Sequence, residues 1–153
     1  MDTLWGMSAR SARWEGVYRE KATDEVSWYQ ADPGPSLALV DALGIEPGAG
    51  GGVVDVGAGA SPLLAALGRR GFTDLTAVDV SAAALETLAA AAAAAAAGVP
   101  VARVTADVTA WDPGRTFGLW HDRAALHFLV DEDERAAYLA TLQRAVPDGA
   151  VIV

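Results

Sequence analysis

The fold is decided by the stretch VVDVGAGASP, Val53–Pro62. Its three valines predict a short parallel strand that is covered on both faces. Gly57 and Gly59 allow a tight turn and a close approach of the backbone to a ligand. Ser61 predicts a helix N-cap, and Pro62 suits the first helical position. Together they predict a strand, a glycine turn and a helix start, the arrangement with which open α/β sheets bind nucleotides.

A second apolar strand, LTAVDV, follows at Leu75–Val80 and carries Asp79 near its carboxyl end. An acidic residue about 20 residues past a glycine turn can accept hydrogen bonds from both ribose hydroxyls. The two stretches together therefore predict a nucleoside-containing cofactor. The alternative is an ordinary strand-to-helix turn without a ligand, in which Asp79 is only a solvated residue at a strand end.

The third position of the glycine pattern indicates which cofactor is expected. Dinucleotide sites carry a third glycine there, and this chain has Pro62, which argues against NAD or FAD. Asp55 stands two residues before Gly57, where its carboxylate can organise the loop or contact the cationic end of an amino acid. These residues predict S-adenosyl-L-methionine (SAM) as the cofactor, held by Asp55, Gly57, Ala58, Gly59 and Asp79.

Composition excludes several other classes of protein. The 153 residues predict one domain, and the absence of cysteine excludes a disulfide framework and a thiol nucleophile. A net charge of −9 without a basic patch argues against nucleic-acid binding and leaves a small molecule or a basic protein segment as substrate. We expect Arg10 and Arg13 to be solvated surface residues. Neither a signal peptide nor a membrane span is visible, so we expect a cytoplasmic protein.

Strands and helices alternate along most of the chain. We expect a mostly parallel, doubly wound α/β sheet behind an N-terminal helical lid segment at 1–46, with the SAM-binding core at 47–153. The fifth strand is apolar enough to belong in a sheet interior, so the core is expected to be truncated after it. Strands are predicted at 53–56, 75–79, 101–105, 116–120 and 150–153, and helices at 11–20, 36–43, 62–70, 82–97 and 132–146.

Three segments together resemble the class I SAM-dependent methyltransferases, which have a Rossmann-like sheet. DVGAG at Asp55–Gly59 resembles their first motif, and Asp79 resembles their ribose-binding acid. TADV at Thr105–Val108 resembles the segment in which an aspartate, here Asp107, holds the adenine amino group. The resemblance implies that Val80 and Val108 flank the adenine ring. For Asp107, a residue that only forms a turn is the alternative.

Two tryptophan-containing regions resemble the thiopurine methyltransferase-like group, which includes protein-lysine methyltransferases. They are WEGVY at Trp14–Tyr18 with EVSWYQ at Glu25–Gln30, and WHDRAAL at Trp120–Leu126. The resemblance implies a small-molecule methyl acceptor and an N-terminal segment that closes over cofactor and substrate. A protein lysine as acceptor, a non-catalytic SAM- or nucleotide-binding module and, more distantly, an NAD-linked oxidoreductase stay open.

The resemblance also implies roles for individual side chains. Trp14 and Trp28 are expected at the cofactor and Tyr29 at the substrate, since aromatic faces attract a sulfonium and exclude water. His121 and Arg123, expected just after the fourth strand, are the catalytic candidates, and Arg123 is also a substrate contact. The alternatives are a buried helix face for Trp14, a surface ion pair for Arg123 and an orienting role for His121. Methyl transfer from a sulfonium requires no metal, and no metal-ligand spacing is present.

Overall fold

A computed structural model describes residues 9–20, 31–48, 50–94 and 98–153, in which five parallel strands form one sheet. Their order across the sheet is β3-β2-β1-β4-β5, so the strand before the glycine turn is central. The alternation of strands and helices confirms the predicted doubly wound α/β fold. The strands are β1 (Gly52–Val56), β2 (Leu75–Asp79), β3 (Val101–Thr105), β4 (Phe117–Asp122) and β5 (Val151–Ile152).

Five α-helices accompany the strands in the described part of the chain, and a short 3-10 helix, Leu126–Phe128, follows β4. Ser81 caps the fourth α-helix, because its Oγ accepts from the Ala84 N–H at 3.1 Å. The helices are α1 (Ala9–Glu20), α2 (Gly34–Ala42), α3 (Leu63–Arg69), α4 (Ala82–Ala94) and α5 (Glu132–Ala145).

The sheet is covered on both faces, which explains why β1 and β2 are buried along their whole length. Val53 and Leu119 point to one face and pack with residues of α2, α3 and α4. Val54 and Trp120 point to the other face and pack with Trp111 and with α5. Successive strand residues alternate between faces, so near-continuous apolar runs are what a doubly covered sheet requires.

β4 runs two residues beyond its predicted end at 120. Asp55 pairs with His121 and Val56 with Asp122, so β4 stays paired with the central strand β1 as far as Asp122. The expectation that His121 follows the strand is therefore wrong. The side chains at these two positions are polar, so the apolar pattern used to predict strands ends at Trp120 although the strand continues.

The start of α3 also differs from the prediction. Pro62 is the N-cap residue rather than the first helical residue, and the helix begins at Leu63. Ser61 still supports the helix start, since its Oγ accepts a hydrogen bond from the Leu63 N–H at 3.2 Å. The glycine turn is therefore one residue longer than the sequence indicated.

β5 pairs with β4 and lies at the edge of the described sheet. It was expected to be an interior strand, but Ile152 is 55% exposed here. Over the described residues, no helix has both the length and the apolar character needed to cross a membrane.

Candidate functional site

A cavity opens where β1, β2 and β3 end, at the carboxyl edge of the sheet, with α1 lying across it. It contains about 720 Å³ of empty space, part of which is open to solvent. The convergence of parallel strand ends at one edge brings distant parts of the sequence together here. Seven of the predicted site residues line it: Trp14, Gly57, Asp79, Val80, Asp107, Val108 and Arg123.

The glycine turn is packed so closely that side chains do not fit. Gly57 has φ +64°, and a Cβ there would lie 2.8 Å from the Cβ of Ala125, in the turn after β4. Gly59 has φ +51°, and a Cβ there would collide with the Tyr18 hydroxyl of α1. Both positions need glycine for conformation and for space, and the turn is thereby held against two other segments.

Asp79 is buried and fixes the glycine turn from the end of β2. Its Oδ2 accepts from the Gly59 N–H and its Oδ1 from the Ser81 N–H, both at 2.8 Å. Burial is the largest effect and raises the pKa of Asp79. The hydrogen bonds from the Ser81 and Gly59 N–H groups lower the pKa by less, and the nearby Asp55 raises it further. The carboxylate thus joins two loops while it lines the cavity.

Asp107 both forms a turn and contacts α1. Its Oδ1 accepts from the Thr109 N–H at 3.0 Å and from the Thr109 hydroxyl at 2.7 Å, as the turn-forming alternative requires. Arg10 Nη1 also lies 3.1 Å from Oδ1 and 3.0 Å from Oδ2. A second ion pair joins Arg10 to Glu134 of α5. The expectation that Arg10 is a solvated surface residue is therefore wrong.

α1 is anchored across the cavity at several further points. The Ser11 hydroxyl donates to the Val80 carbonyl at 2.9 Å. Glu15 Oε2 accepts from the Ser81 hydroxyl at 2.7 Å and from the Ala83 N–H at 3.3 Å, at the N-terminus of α4. The ring of Trp14 meets that of Phe128 edge-on, with centroids 5.0 Å apart. These contacts make α1 the roof of the cavity.

The attachment of α1 is expected to weaken in acid. The hydrogen bond from Ser81 is the largest cause that lowers the pKa of Glu15 below its usual 4.5. A lowered folded pKa means that this stabilisation is complete above about pH 4.5 and is lost as pH falls through the folded value. Amide exchange of α1, corrected for intrinsic rates, should show less protection at pH 3.5 than at pH 6. Glu15→Gln should lose less protection over the same step, and an equal loss would contradict this account.

Asp122 organises the turn that follows β4. It accepts from the Ala125 N–H at 2.7 Å, the Leu126 N–H at 3.1 Å and the Tyr138 hydroxyl at 2.6 Å. Burial raises the pKa of Asp122, and burial also raises that of Tyr138. Ala124 in this turn has φ +86°, a conformation that the Asp122 hydrogen bonds hold in place. The turn places Arg123 at the cavity.

His121 lies in a chain of three buried side chains on the α2 face of the sheet. Its Nδ1 is 2.7 Å from Asp55 Oδ1, and its Nε2 is 2.9 Å from the Ser36 hydroxyl on α2. Because a carboxylate only accepts, Nδ1 donates to Asp55, while Nε2 and the Ser36 hydroxyl form the second hydrogen bond of the ring. Asp55 Oδ2 is buried and has no hydrogen-bond partner within the described structure. These three hydrogen-bonded side chains connect β1, β4 and α2 beside the cavity.

Six predicted site residues are not found in the cavity lining, two of them because they lie outside the described residues. Asp55, Ala58, Gly59 and His121 do not line it, and Trp28 and Tyr29 lie outside the described residues. Arg10 was missed as a site residue. Its spacing from Trp14 and Tyr18, one helical turn each, was a usable signal, but the helix was expected to begin after it.

Several solved structures share this fold. A structure from work on the conversion of a disulfide bond into a thioacetal group during echinomycin biosynthesis is 24% identical, with a TM-score of 0.76, over 94% of this chain and 58% of its own. A SAM-dependent methyltransferase from Geobacter sulfurreducens, solved with S-adenosyl-L-homocysteine, is 22% identical, with a TM-score of 0.62. The match covers 79% of this chain and 47% of that protein. The glycopeptide N-methyltransferase MtfA, solved with sinefungin, is 19% identical, with a TM-score of 0.65. The match covers 82% of this chain and 54% of MtfA.

The family is identified by a match to a family model rather than by these solved structures. The present chain spans only about half the length of these solved relatives. Comparison with curated proteins found no significant match. The methyltransferase domain family matches residues 53–149, well over half of the chain and all three strand ends that form the cavity. The chain belongs to the methyltransferase domain family.

Proposed function

We propose that this chain binds SAM and transfers its methyl group to a small-molecule acceptor. One observation carries the proposal: the Gly57 turn, the Asp79 carboxylate and the Asp107 carboxylate line a single cavity at the ends of β1, β2 and β3. A nucleoside needs such a set, namely a turn without side chains, an acceptor for the ribose hydroxyls and an acceptor for the base.

Each cavity residue then has a role in holding the cofactor. Asp79 accepts from the ribose hydroxyls, and Asp107 accepts from the adenine amino group. Val80 and Val108 flank the base, and Trp14 presents an aromatic face that favours a cation. SAM supplies an activated methyl on a sulfonium, so the protein has to orient the donor and the acceptor in line and exclude water. The α1 roof serves that exclusion.

The acceptor side of the proposal rests on Arg123. Arg123 lines the cavity and suits an acceptor that carries a negative charge, whereas His121 is buried, does not line the cavity and contacts Asp55 and Ser36. We place the chain in the thiopurine methyltransferase-like group, with Trp28 at the cofactor, Tyr29 at the substrate, residues 1–46 as the lid and 47–153 as the core. Two structural relatives come from echinomycin biosynthesis and from glycopeptide N-methylation, which favours a small acceptor over a protein lysine.

Calorimetric titration with S-adenosyl-L-homocysteine tests the proposal. We expect binding with a micromolar dissociation constant and no heat with NADH under the same conditions. The absence of a third glycine, replaced by Pro62, is the reason to expect this preference. Binding of NADH alone, or no binding of either ligand by the folded chain, would contradict the proposal. Cofactor binding without turnover on any small acceptor or peptide would favour a non-catalytic module.

A further inference from the structure

We propose that Arg10 and Asp107 together recognise one edge of the adenine base, an assignment that rests on the proposed function. A hydrogen-bond donor and an acceptor lie side by side in the cavity, since Arg10 Nη1 is 3.0 Å from Asp107 Oδ2. Arg10 comes from α1, the roof, while Asp107 comes from the loop after β3. The base would therefore be read jointly by the core and by the segment that covers it.

The two oxygens of Asp107 are engaged to different extents. Oδ1 already accepts from the Thr109 N–H, the Thr109 hydroxyl and Arg10 Nη1. Oδ2 accepts only from Arg10 Nη1 in the described structure. Because a carboxylate oxygen offers about two acceptor positions, Oδ2 keeps the capacity to accept from a ligand amino group.

Arg10 lines the cavity and keeps donor capacity beyond its two ion pairs. A guanidinium has five N–H groups, and its contacts to Asp107 and Glu134 use Nη1 and one hydrogen of Nη2. Within the residues that the structure covers, Nε–H and the second Nη2 hydrogen are left for other acceptors. Two carboxylates, from different elements, fix the planar group before any ligand arrives, which reduces the entropy lost on binding.

This pair complements adenine and opposes its 6-oxo analogue. The adenine amino group is a donor, and a ring nitrogen that accepts lies next to it on either side, N1 or N7. The amino group would donate to Asp107 Oδ2 while Arg10 donates to the adjacent ring nitrogen. A base with a carbonyl in place of the amino group would set an oxygen against the carboxylate. Arg10 is thus a specificity-determining residue for the nucleoside.

Deaza analogues of S-adenosyl-L-homocysteine test this contact directly. We would titrate the parent ligand and its 1-deaza and 7-deaza forms into the wild type, Arg10→Ala and, as a control, Arg13→Ala. Arg13 is exposed on the same helix, so its removal changes the charge equally. For the wild type, one analogue should bind about tenfold more weakly than the parent. Arg10→Ala should bind the parent about tenfold more weakly and show no further loss with that analogue, while Arg13→Ala should keep the wild-type ratio.

The ratio between ligands separates base recognition from a loosened roof, because undocking of α1 would weaken all three ligands alike. Arg10→Gln keeps an amide donor. If Arg10→Ala disturbs α1, Arg10→Gln should recover part of the affinity ratio between the parent ligand and the deaza analogue. An undiminished deaza effect in both Arg10 variants would overturn the assignment. Tighter binding of the parent by Arg10→Ala would also overturn it, since the ion pair would then compete with the base. Failure of the wild type to bind the parent ligand would instead refute the proposed function.

Discussion

Replacing His121 with leucine is expected to lower the free energy of unfolding by about 3–5 kcal/mol, because it leaves the buried carboxylate of Asp55 without a compensating partner. Asp55 is only 3% exposed, and its Oδ2 already has no partner in the described structure. Loss of the His121 contact at 2.7 Å leaves Oδ1 without its partner as well. Urea denaturation followed by circular dichroism measures the effect.

The cost of this substitution should disappear when both partners are replaced together. Asp55→Val with His121→Leu removes the buried carboxylate and suits the apolar face of β1, so we expect stability near that of the wild type. Ser36→Ala removes only a neutral partner of the ring and should cost about 1 kcal/mol. A loss below 1 kcal/mol for His121→Leu alone would show that Asp55 does not depend on the imidazole. Turnover by the stable double variant would argue against His121 as a catalytic base.

Replacing Asp79 with alanine is expected to weaken binding of S-adenosyl-L-homocysteine by about 1–3 kcal/mol, which corresponds to roughly 5- to 150-fold in the dissociation constant. The ribose hydroxyls would lose a charged acceptor. The N–H groups of Gly59 and Ser81 would also lose their acceptor, so the glycine turn would be held less firmly. Calorimetric titration of the folded variant measures the change.

A matched pair of variants separates the ribose contact from a general effect of charge. Asp79→Asn keeps one accepting oxygen, so its loss of affinity should be smaller than that of Asp79→Ala. Asp112→Ala removes the same charge at an exposed turn, where Asp112 accepts from the Gly114 N–H at 3.2 Å, and affinity should not change. Unchanged affinity in folded Asp79→Ala would reject Asp79 as the ribose acceptor.

The sequence carried most of the architecture because the sheet is covered on both faces. In such a sheet the inner strands are largely apolar runs bounded by turn residues, as at Val53–Val56 and Leu75–Val78, and these runs are easily recognised in the sequence. The cavity followed from the same logic, since the residues at parallel strand ends meet at one edge. Gly57 and Asp79 were found in this way, and Asp107 was found through the resemblance of Thr105–Val108 to a methyltransferase segment.

The missed features depend on contacts between residues far apart in the sequence. Arg10 and Asp107 are separated by 97 residues, and although its spacing places Arg10 on one helix face with Trp14 and Tyr18, that spacing does not reveal the distant carboxylate. The end of β4 was missed for a similar reason, because His121 is buried only through its pairing with Asp55. A polar side chain can be buried when a residue distant in sequence forms a hydrogen bond with it. The hydrophobic periodicity of the sequence does not identify that residue.

The pairing of Asp55 with His121 also bears on how the chain is made. The two residues lie 66 positions apart and sit opposite each other in the sheet. At roughly 5–20 residues per second, a ribosome adds that length in about 3–13 s. During this interval β1 can pair with β2 but has no partner along its other edge. The half-built sheet thus presents an apolar strand to its surroundings until β4 emerges, and this is when we expect the nascent chain to be most prone to aggregation.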